Sequence, residues 1–303
     1  MVKQQAPPYI FPMLVLSKRM HSIFLLRNFN DCFAVFFLWA AIYAYQGRTY
    51  TIGSLLYSWG LGVKMSLFLV LPALGVVLFL ARGVATGLRQ ASLMAQLQVL
   101  IAIPFASVNF RSYLGRAFEF SRVFFFKWTV NWRFLGEETF LNKGFHISLL
   151  VGHISVLTAF ILTRWLNPTG RSVQTMITRA LRGEEPLGDI QQLVSKRVTP
   201  QFVLTTILTS NVIGILFARS LHYQFFAYLG WSTPFLLWRS GMHPILQYIF
   251  WAAQEWAWLV YPSTDLSSKV VVGVLAITVA GVWRGTREDE ILKVVEKKPV
   301  SVK

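Results

Sequence analysis

Nine apolar runs divide this chain, at about 32–46, 52–63, 65–81, 91–105, 144–165, 201–218, 223–238, 244–260 and 269–283. Hydrocarbon offers the backbone no hydrogen-bond partner, so such runs must fold as helices that satisfy their own N–H and C=O groups. Several are shorter than the roughly 20 residues of a straight span. That predicts re-entrant or broken helices, above all the pair on either side of Lys64. The expected fold is all-α, a polytopic transmembrane helical protein with about nine membrane segments plus a partial N-terminal one. Composition agrees: charged residues are 14% of the chain, against about 25% in soluble domains, and mean hydropathy is +0.51.

The N-terminal apolar stretch, Tyr9 to Leu16, is interrupted by Pro12 and followed by Lys18 and Arg19. Eight helical residues rise about 12 Å, short of the ~30 Å hydrocarbon core. The stretch reads as the end of a span that begins upstream. A net charge of +16 could suggest nucleic acid. The cations are spread among apolar runs rather than gathered in a soluble domain, which excludes it and points to anionic membrane lipids or a phosphorylated lipid. One cysteine, Cys32, excludes an internal disulfide and a CxxC metal site, and no metal is expected. There is no P-loop, GxGxxG, HExxH or GxSxG.

Placing the C-terminal tail in the cytosol and alternating the runs puts 17 of the 29 Lys and Arg on the cytosolic side and 12 opposite. The positive-inside bias agrees, weakly. It is weak because Arg111 to Lys143 carries six cations on the far side. Wound as a helix, Arg111 to Phe125 sets Arg111, Arg116, Glu119 and Arg122 on one arc and Leu114, Phe118 and Phe125 opposite, as a helix lying in a membrane interface does. Trp128, Asn131, Trp132 and Arg133 follow. Amphipathic rings with amide and guanidinium groups suit an amphiphile with a phosphate or sugar head. A membrane-surface anchor fits the same residues.

Three smaller clusters flank the runs. Arg19 to Asp31 ends in Arg27, Asn28, Asn30 and Asp31 at the mouth of a span, where Asp31 is also an ordinary N-cap candidate. Lys64 lies between two apolar runs, a functional residue or a snorkelling one. Arg219, His222, Tyr223 and Gln224 close another run, and Arg219 with His222 could hold a phosphate. The polar 167–200 segment reads as a connector, and residues 284–303 as a disordered tail.

Taken in order, six segments carry a family resemblance: His21-Ser-Ile-Phe-Leu-Leu-Arg-Asn-Phe-Asn-Asp31, Val63-Lys-Met65, Phe126-Lys-Trp-Thr-Val-Asn-Trp-Arg-Phe134, Thr209-Ser-Asn-Val-Ile-Gly214, Arg219-Ser-Leu-His-Tyr-Gln-Phe225 and Tyr261-Pro-Ser-Thr264. From about Pro8 to Ser268 the chain resembles the α-1,3-mannosyltransferases of the endoplasmic reticulum. These use dolichyl-phosphate mannose and act on lipid-linked Man5GlcNAc2-PP-dolichol. The resemblance implies a GT-C-type membrane fold over residues 1–283, with a lumenal loop at 106–143, a cytosolic loop at 167–200 and a cytosolic tail. It implies a lumenal active site in the endoplasmic reticulum membrane, with no metal, nucleotide or other cofactor and no obligate protein partner. The donor phosphate and lipid are expected at Arg219, His222, Tyr223, Gln224 and Lys64. The acceptor is expected along Arg27, Asn30, Asp31, Trp128, Asn131, Trp132 and Arg133.

Family members also carry an acidic first lumenal loop with the presumed catalytic carboxylate, and this chain begins after it. Transfer with inversion needs a carboxylate to take the acceptor proton. The lumenal acids here, Asp31, Glu119, Glu137, Glu138 and Asp265, with Glu255 inside a run, form no paired constellation. The base is expected upstream of Met1, with Asp31 as the fallback, and the chain alone is expected to be nearly inactive. Two alternatives stand beside this reading: a polytopic transporter or channel, and a non-catalytic remnant of the same family. Against the first, no two halves match and no row of charges recurs along the spans.

Overall fold

The computed structural model describes residues 6–119 and 125–287. All regular structure among them is helical. The α-helices are α1 (Phe11–Val15), α2 (Lys18–His21), α3 (Asp31–Gln46), α4 (Tyr50–Val63), α5 (Leu71–Ala117), α6 (Gly136–Leu141) and α7 (Lys143–Phe160). They continue as α8 (Val173–Leu181), α9 (Gln191–Arg197), α10 (Pro200–Leu216), α11 (Ser232–Arg239), α12 (Pro244–Leu259) and α13 (Asp265–Gly285). Short 3-10 turns at Met65–Val70 and Tyr223–Tyr228 lead into α5 and towards α11.

Helix α10 is the hub. Every residue from Val203 to Leu216 is buried, so the helix is enclosed on all sides, as a run apolar all round must be. Its start is set by Pro200 at the first helical position and by the Thr199 side chain, which accepts from the Phe202 amide. Three of its polar side chains bond to carbonyls, while the buried Thr205 hydroxyl has no partner among the described residues. Thr209 donates to the Thr205 carbonyl at 2.6 Å, Ser210 to the Leu69 carbonyl at 2.6 Å, and Asn211 to the Tyr228 carbonyl at 3.2 Å. The Thr209–Gly214 segment is therefore core. At Gly214 a Cβ would sit 2.6 Å from the Leu69 side chain, so only glycine lets α10 approach the Met65–Val70 turn this closely.

Helix α5 is two helices in one. Gly83 has φ 79° and ψ 177°, a conformation essentially reserved for glycine. A Cβ on Gly87 would lie 3.9 Å from the Phe79 backbone, whereas eight residues of straight helix would separate them by about 12 Å. The chain thus folds back at Gly83. Beyond it Gln90 bonds Thr51 and Gln98 bonds Ser58, so this limb runs alongside α4 in the same direction. The apolar stretch Met65–Ala117, 53 residues long, forms two limbs that fold back on each other.

The contacts sort the loops onto two ends. At the Arg82 end, Arg82 lies over the Tyr50 ring, Arg48 reaches the Ser195 carbonyl, and Gln191 bonds the Leu80 carbonyl. Arg164 bonds the Trp283 carbonyl there. The 167–200 connector sits at this end and is structured, with α8 and α9 inside it. Arg171 grips Asp189 through two bonds of 2.7 and 2.9 Å. That contact, ahead of any other cause, holds the Asp189 carboxyl below its ordinary range. At the opposite, Lys64 end lie Asn30, Asp31, residues 125–143, 217–228 and 260–265. Among the described residues, Arg48, Arg82 and the 167–200 segment thus share one end, and Lys64 and residues 125–143 the other.

Three expectations change. The helix anticipated over Arg111–Phe125 ends at Ala117; it restarts after a break at Asn109, whose side chain caps the Ser112 amide at 3.0 Å. Residues 120–124 lie outside the described residues, as does the tail from 288. Asp31 is not an N-cap: Asn30 takes that position, and no side chain caps the helix. Lys64 is not held mid-span. It is the extended residue (φ −148°, ψ 119°) at the apex between α4 and the Met65–Val70 turn. By length and apolarity three helices among the described residues could cross a membrane, or up to five if each bent pair is one span.

Candidate functional site

The Lys64 end gathers residues from five separate segments. Asp31, the first residue of α3, is completely buried, and its Oδ2 is 3.0 Å from the Lys64 ammonium. Its Oδ1 accepts from the Tyr228 hydroxyl at 3.1 Å, which itself accepts from Ser66 at 2.8 Å. Lys64 also donates to Asn30 Oδ1 at 3.2 Å. Burying a carboxylate is costly unless it is paired and hydrogen-bonded. Here both conditions are met.

A second cluster surrounds Arg19. Its guanidinium lies 4.8 Å from the Tyr223 ring centroid and donates to the Trp258 carbonyl. Its backbone amide faces Glu255 Oε2 at 3.5 Å. The Tyr223 hydroxyl donates to the Val260 carbonyl at 2.7 Å. The Tyr223 ring meets Tyr261 at 5.8 Å, and Tyr261 stacks on the exposed Trp128 at 6.4 Å. Lys127 lies over the Trp128 ring at 5.3 Å. Cations and rings thus form one continuous wall.

Residues 129–133 are stitched to the segment that follows α10. The Asn131 side chain donates to the Ala218 carbonyl at 2.7 Å and accepts from the Leu221 amide and the Thr129 hydroxyl, each at 2.8 Å. The Trp132 indole donates to the same Ala218 carbonyl at 3.0 Å, and the Val130 amide to the Leu221 carbonyl at 2.9 Å. Ser263 donates to the Thr129 carbonyl at 2.6 Å. Asn131 and Trp132 therefore spend their polar atoms on the protein and fix the loop bearing Arg219 and His222. Arg133 lies over Phe126 at 5.0 Å, and its backbone amide donates to Ser268 at 2.9 Å.

Arg219, His222, Tyr223 and Gln224 are half-buried on this loop, and Arg27 and Asn30 are exposed on the neighbouring one. Burial draws the Arg219 guanidinium below its ordinary value, although an arginine remains charged in a protein. Among the acids, Glu119 sits 3.7 Å from Arg116, while Glu137, Glu138 and Asp265 are exposed in the first turns of α6 and α13. Among the described residues no three His, Cys, Asp or Glu side chains come together as a metal site.

On either side of Arg19 in the chain, Ser17, Met20 and His21 line an apolar cavity of about 730 Å³ together with Leu14, Phe24, Trp39 and Trp231. Neither Glu255 nor Tyr228 stood out in the sequence. Glu255 is 236 residues from Arg19, and Tyr228 is 197 from Asp31, separations that no local spacing can reveal.

The family described as ALG3 protein matches residues 1–268. The chain is 58% identical over 288 residues to the Neurospora crassa protein named Dol-P-Man:Man(5)GlcNAc(2)-PP-Dol alpha-1,3-mannosyltransferase, covering 94% of this chain and 65% of that protein. Proteins of the same name from Arabidopsis thaliana and Homo sapiens are 37% and 35% identical, each covering 93% of this chain and 65% and 63% of their own lengths. The chain thus spans a little under two thirds of the curated relatives it matches. No solved structure matches it. On a family match from Met1 to Ser268 and relatives of this identity, the chain belongs to the ALG3 protein family.

Proposed function

We propose that the protein transfers mannose from dolichyl-phosphate mannose, in α-1,3 linkage, to the Man5GlcNAc2-PP-dolichol precursor. The reaction takes place at the Lys64 end of a GT-C-type membrane domain. That end faces the lumen of the endoplasmic reticulum, and the 167–200 segment faces the cytosol. The relatives' names support the chemistry. The observation that carries the site is the meeting of cations and aromatic rings at one end of the bundle, around Arg19 and Tyr223, with an apolar cavity that includes the neighbouring Ser17, Met20 and His21.

The cavity accepts polyprenyl chain, and Arg219 with His222 takes the phosphate, with Lys64 and Arg133 as helpers. Tyr223 and Gln224 flank that phosphate. As the sugar carbon–oxygen bond breaks, a diester monoanion becomes a monoester bearing a further developing charge. Fixed cations therefore stabilise the transition state more than the bound donor, which is what raises rate. Trp128, exposed beside Tyr261 and Lys127, offers its ring to acceptor sugars. Arg27 and Asn30 border the same mouth from the other side, with the buried Asp31 behind them. Asn131 and Trp132 act by holding the 218–222 segment in place.

The test is the size of lipid-linked oligosaccharides in cells that lack this activity and are supplied with the chain within a protein of its relatives' full length. Extension of the Man5 species that Arg219→Ala suppresses supports the reading. Equal extension by both forms rejects the site.

A further inference from the structure

The Lys64 apex carries more organisation than a surface lysine needs. An ammonium has three N–H donors. Two are spent, on Asn30 Oδ1 at 3.2 Å and Asp31 Oδ2 at 3.0 Å, while the side chain keeps 26% of its surface exposed. Asp31 is wholly buried and is itself held by Tyr228, which Ser66 holds in turn. Each bond has a fixed direction: Ser66 donates to Tyr228, Tyr228 to Asp31, and Asp31 accepts from Lys64. The lysine backbone is pinned as well, its amide bonded to the Gly60 carbonyl at 3.0 Å. As a stability device this is a poor choice, because a buried ion pair seldom outperforms apolar residues of the same size. As a way of aiming one N–H outward, it is economical.

We infer that Asp31, Tyr228 and Ser66 are positioning residues that aim the remaining Lys64 N–H at a phosphate oxygen of a polyprenyl phosphate. Asp31 is thereby an anchor for Lys64 and not a proton acceptor, since both its oxygens are engaged and none of its surface is open. The inference rests on the donor-site reading above and adds how Lys64 is held. Tyr228→Phe is the informative change. Asp31→Asn would also remove a negative charge beside the phosphate, so gain and loss would be mixed. Removing the Tyr228 hydroxyl leaves every charge in place and only frees the carboxylate to turn.

The experiment measures binding of farnesyl phosphate to the purified chain in detergent, with farnesol as the uncharged control. The wild type should bind the phosphate more tightly than the alcohol. One hydrogen bond's worth of lost positioning corresponds to about a three- to tenfold weaker affinity. Tyr228→Phe should weaken farnesyl phosphate by that factor and leave farnesol unchanged. Ser66→Ala, a milder change at the rim of the network, should move in the same direction. In a Lys64→Ala background neither substitution should have any further effect, because both act through the lysine. A Tyr228→Phe penalty that persists in full with Lys64→Ala, or that falls equally on farnesol, overturns the inference and leaves the donor site standing. A wild-type chain that does not prefer the phosphate over the alcohol overturns the donor-site reading and this inference with it.

Discussion

Replacing Asn131 with alanine should loosen the Arg219 loop without unfolding the protein. The magnitude follows from which partners are left bare. The Ala218 carbonyl keeps the Trp132 indole, and the Thr129 hydroxyl keeps the Asn131 carbonyl at 2.9 Å. The Leu221 amide loses the acceptor it has at 2.8 Å, on a residue with no exposed surface. One buried donor without a partner costs about 1–3 kcal/mol. That equals roughly a 5- to 150-fold increase in opening of the 218–222 segment. Hydrogen exchange of the protein in detergent reads this directly. Peptides covering 218–223 should exchange faster by that factor, while those from the buried middle of α10 should be unchanged. Asn131→Asp keeps an acceptor for the Leu221 amide but sets a carboxylate oxygen against the Ala218 carbonyl that Asn131 meets at 2.7 Å, so repulsion there should prevent rescue. Unchanged exchange in 218–223 would refute the claim that Asn131 is the clamp.

Two further outcomes follow from the fold. Gly83→Ala should destabilise the turn between the two limbs of α5 by about 1–3 kcal/mol, because φ of 79° with ψ of 177° is strained for any side chain. The nearest atom to the new Cβ, Gln191 Oε1 at 3.1 Å, can move aside, so backbone strain decides. A thermal midpoint equal to wild type would contradict it. Glycosylation sequons placed in the 167–200 segment should stay unmodified, whereas one near Asn109 should be glycosylated; the reverse pattern would invert the proposed orientation.

The helical class and many of the helix boundaries were legible because apolar runs and their breaks are local. Arg82 to Gln90 separates two runs, and the chain does reverse there, at Gly83. Lys64 was visible as an anomaly between two apolar stretches, but its partner was not. Asp31 is 33 residues away and meets it only after α3 and α4 pack together. Asn131 and Trp132 looked like ligand-binding groups because amide and indole suit sugars. Their chemistry suits backbone carbonyls equally well, and only the packing of 129–133 against 218–221 decides how they are spent. The 167–200 segment read as a plain polar connector, since helices as short as α9 leave little periodic signal.

The most direct test of the central claim is transfer of labelled mannose from dolichyl-phosphate mannose to Man5GlcNAc2-PP-dolichol in membranes containing the chain within a protein of its relatives' full length. Loss of one charge-assisted bond to phosphate costs about 1.5–3 kcal/mol, or roughly ten- to a hundredfold. The account predicts a sixth mannose in α-1,3 linkage, formed ten- to a hundredfold more slowly with Arg219→Ala at equal protein level. A sixth mannose formed at the same rate with and without Arg219, or drawn from a nucleotide sugar in place of the lipid donor, would contradict it.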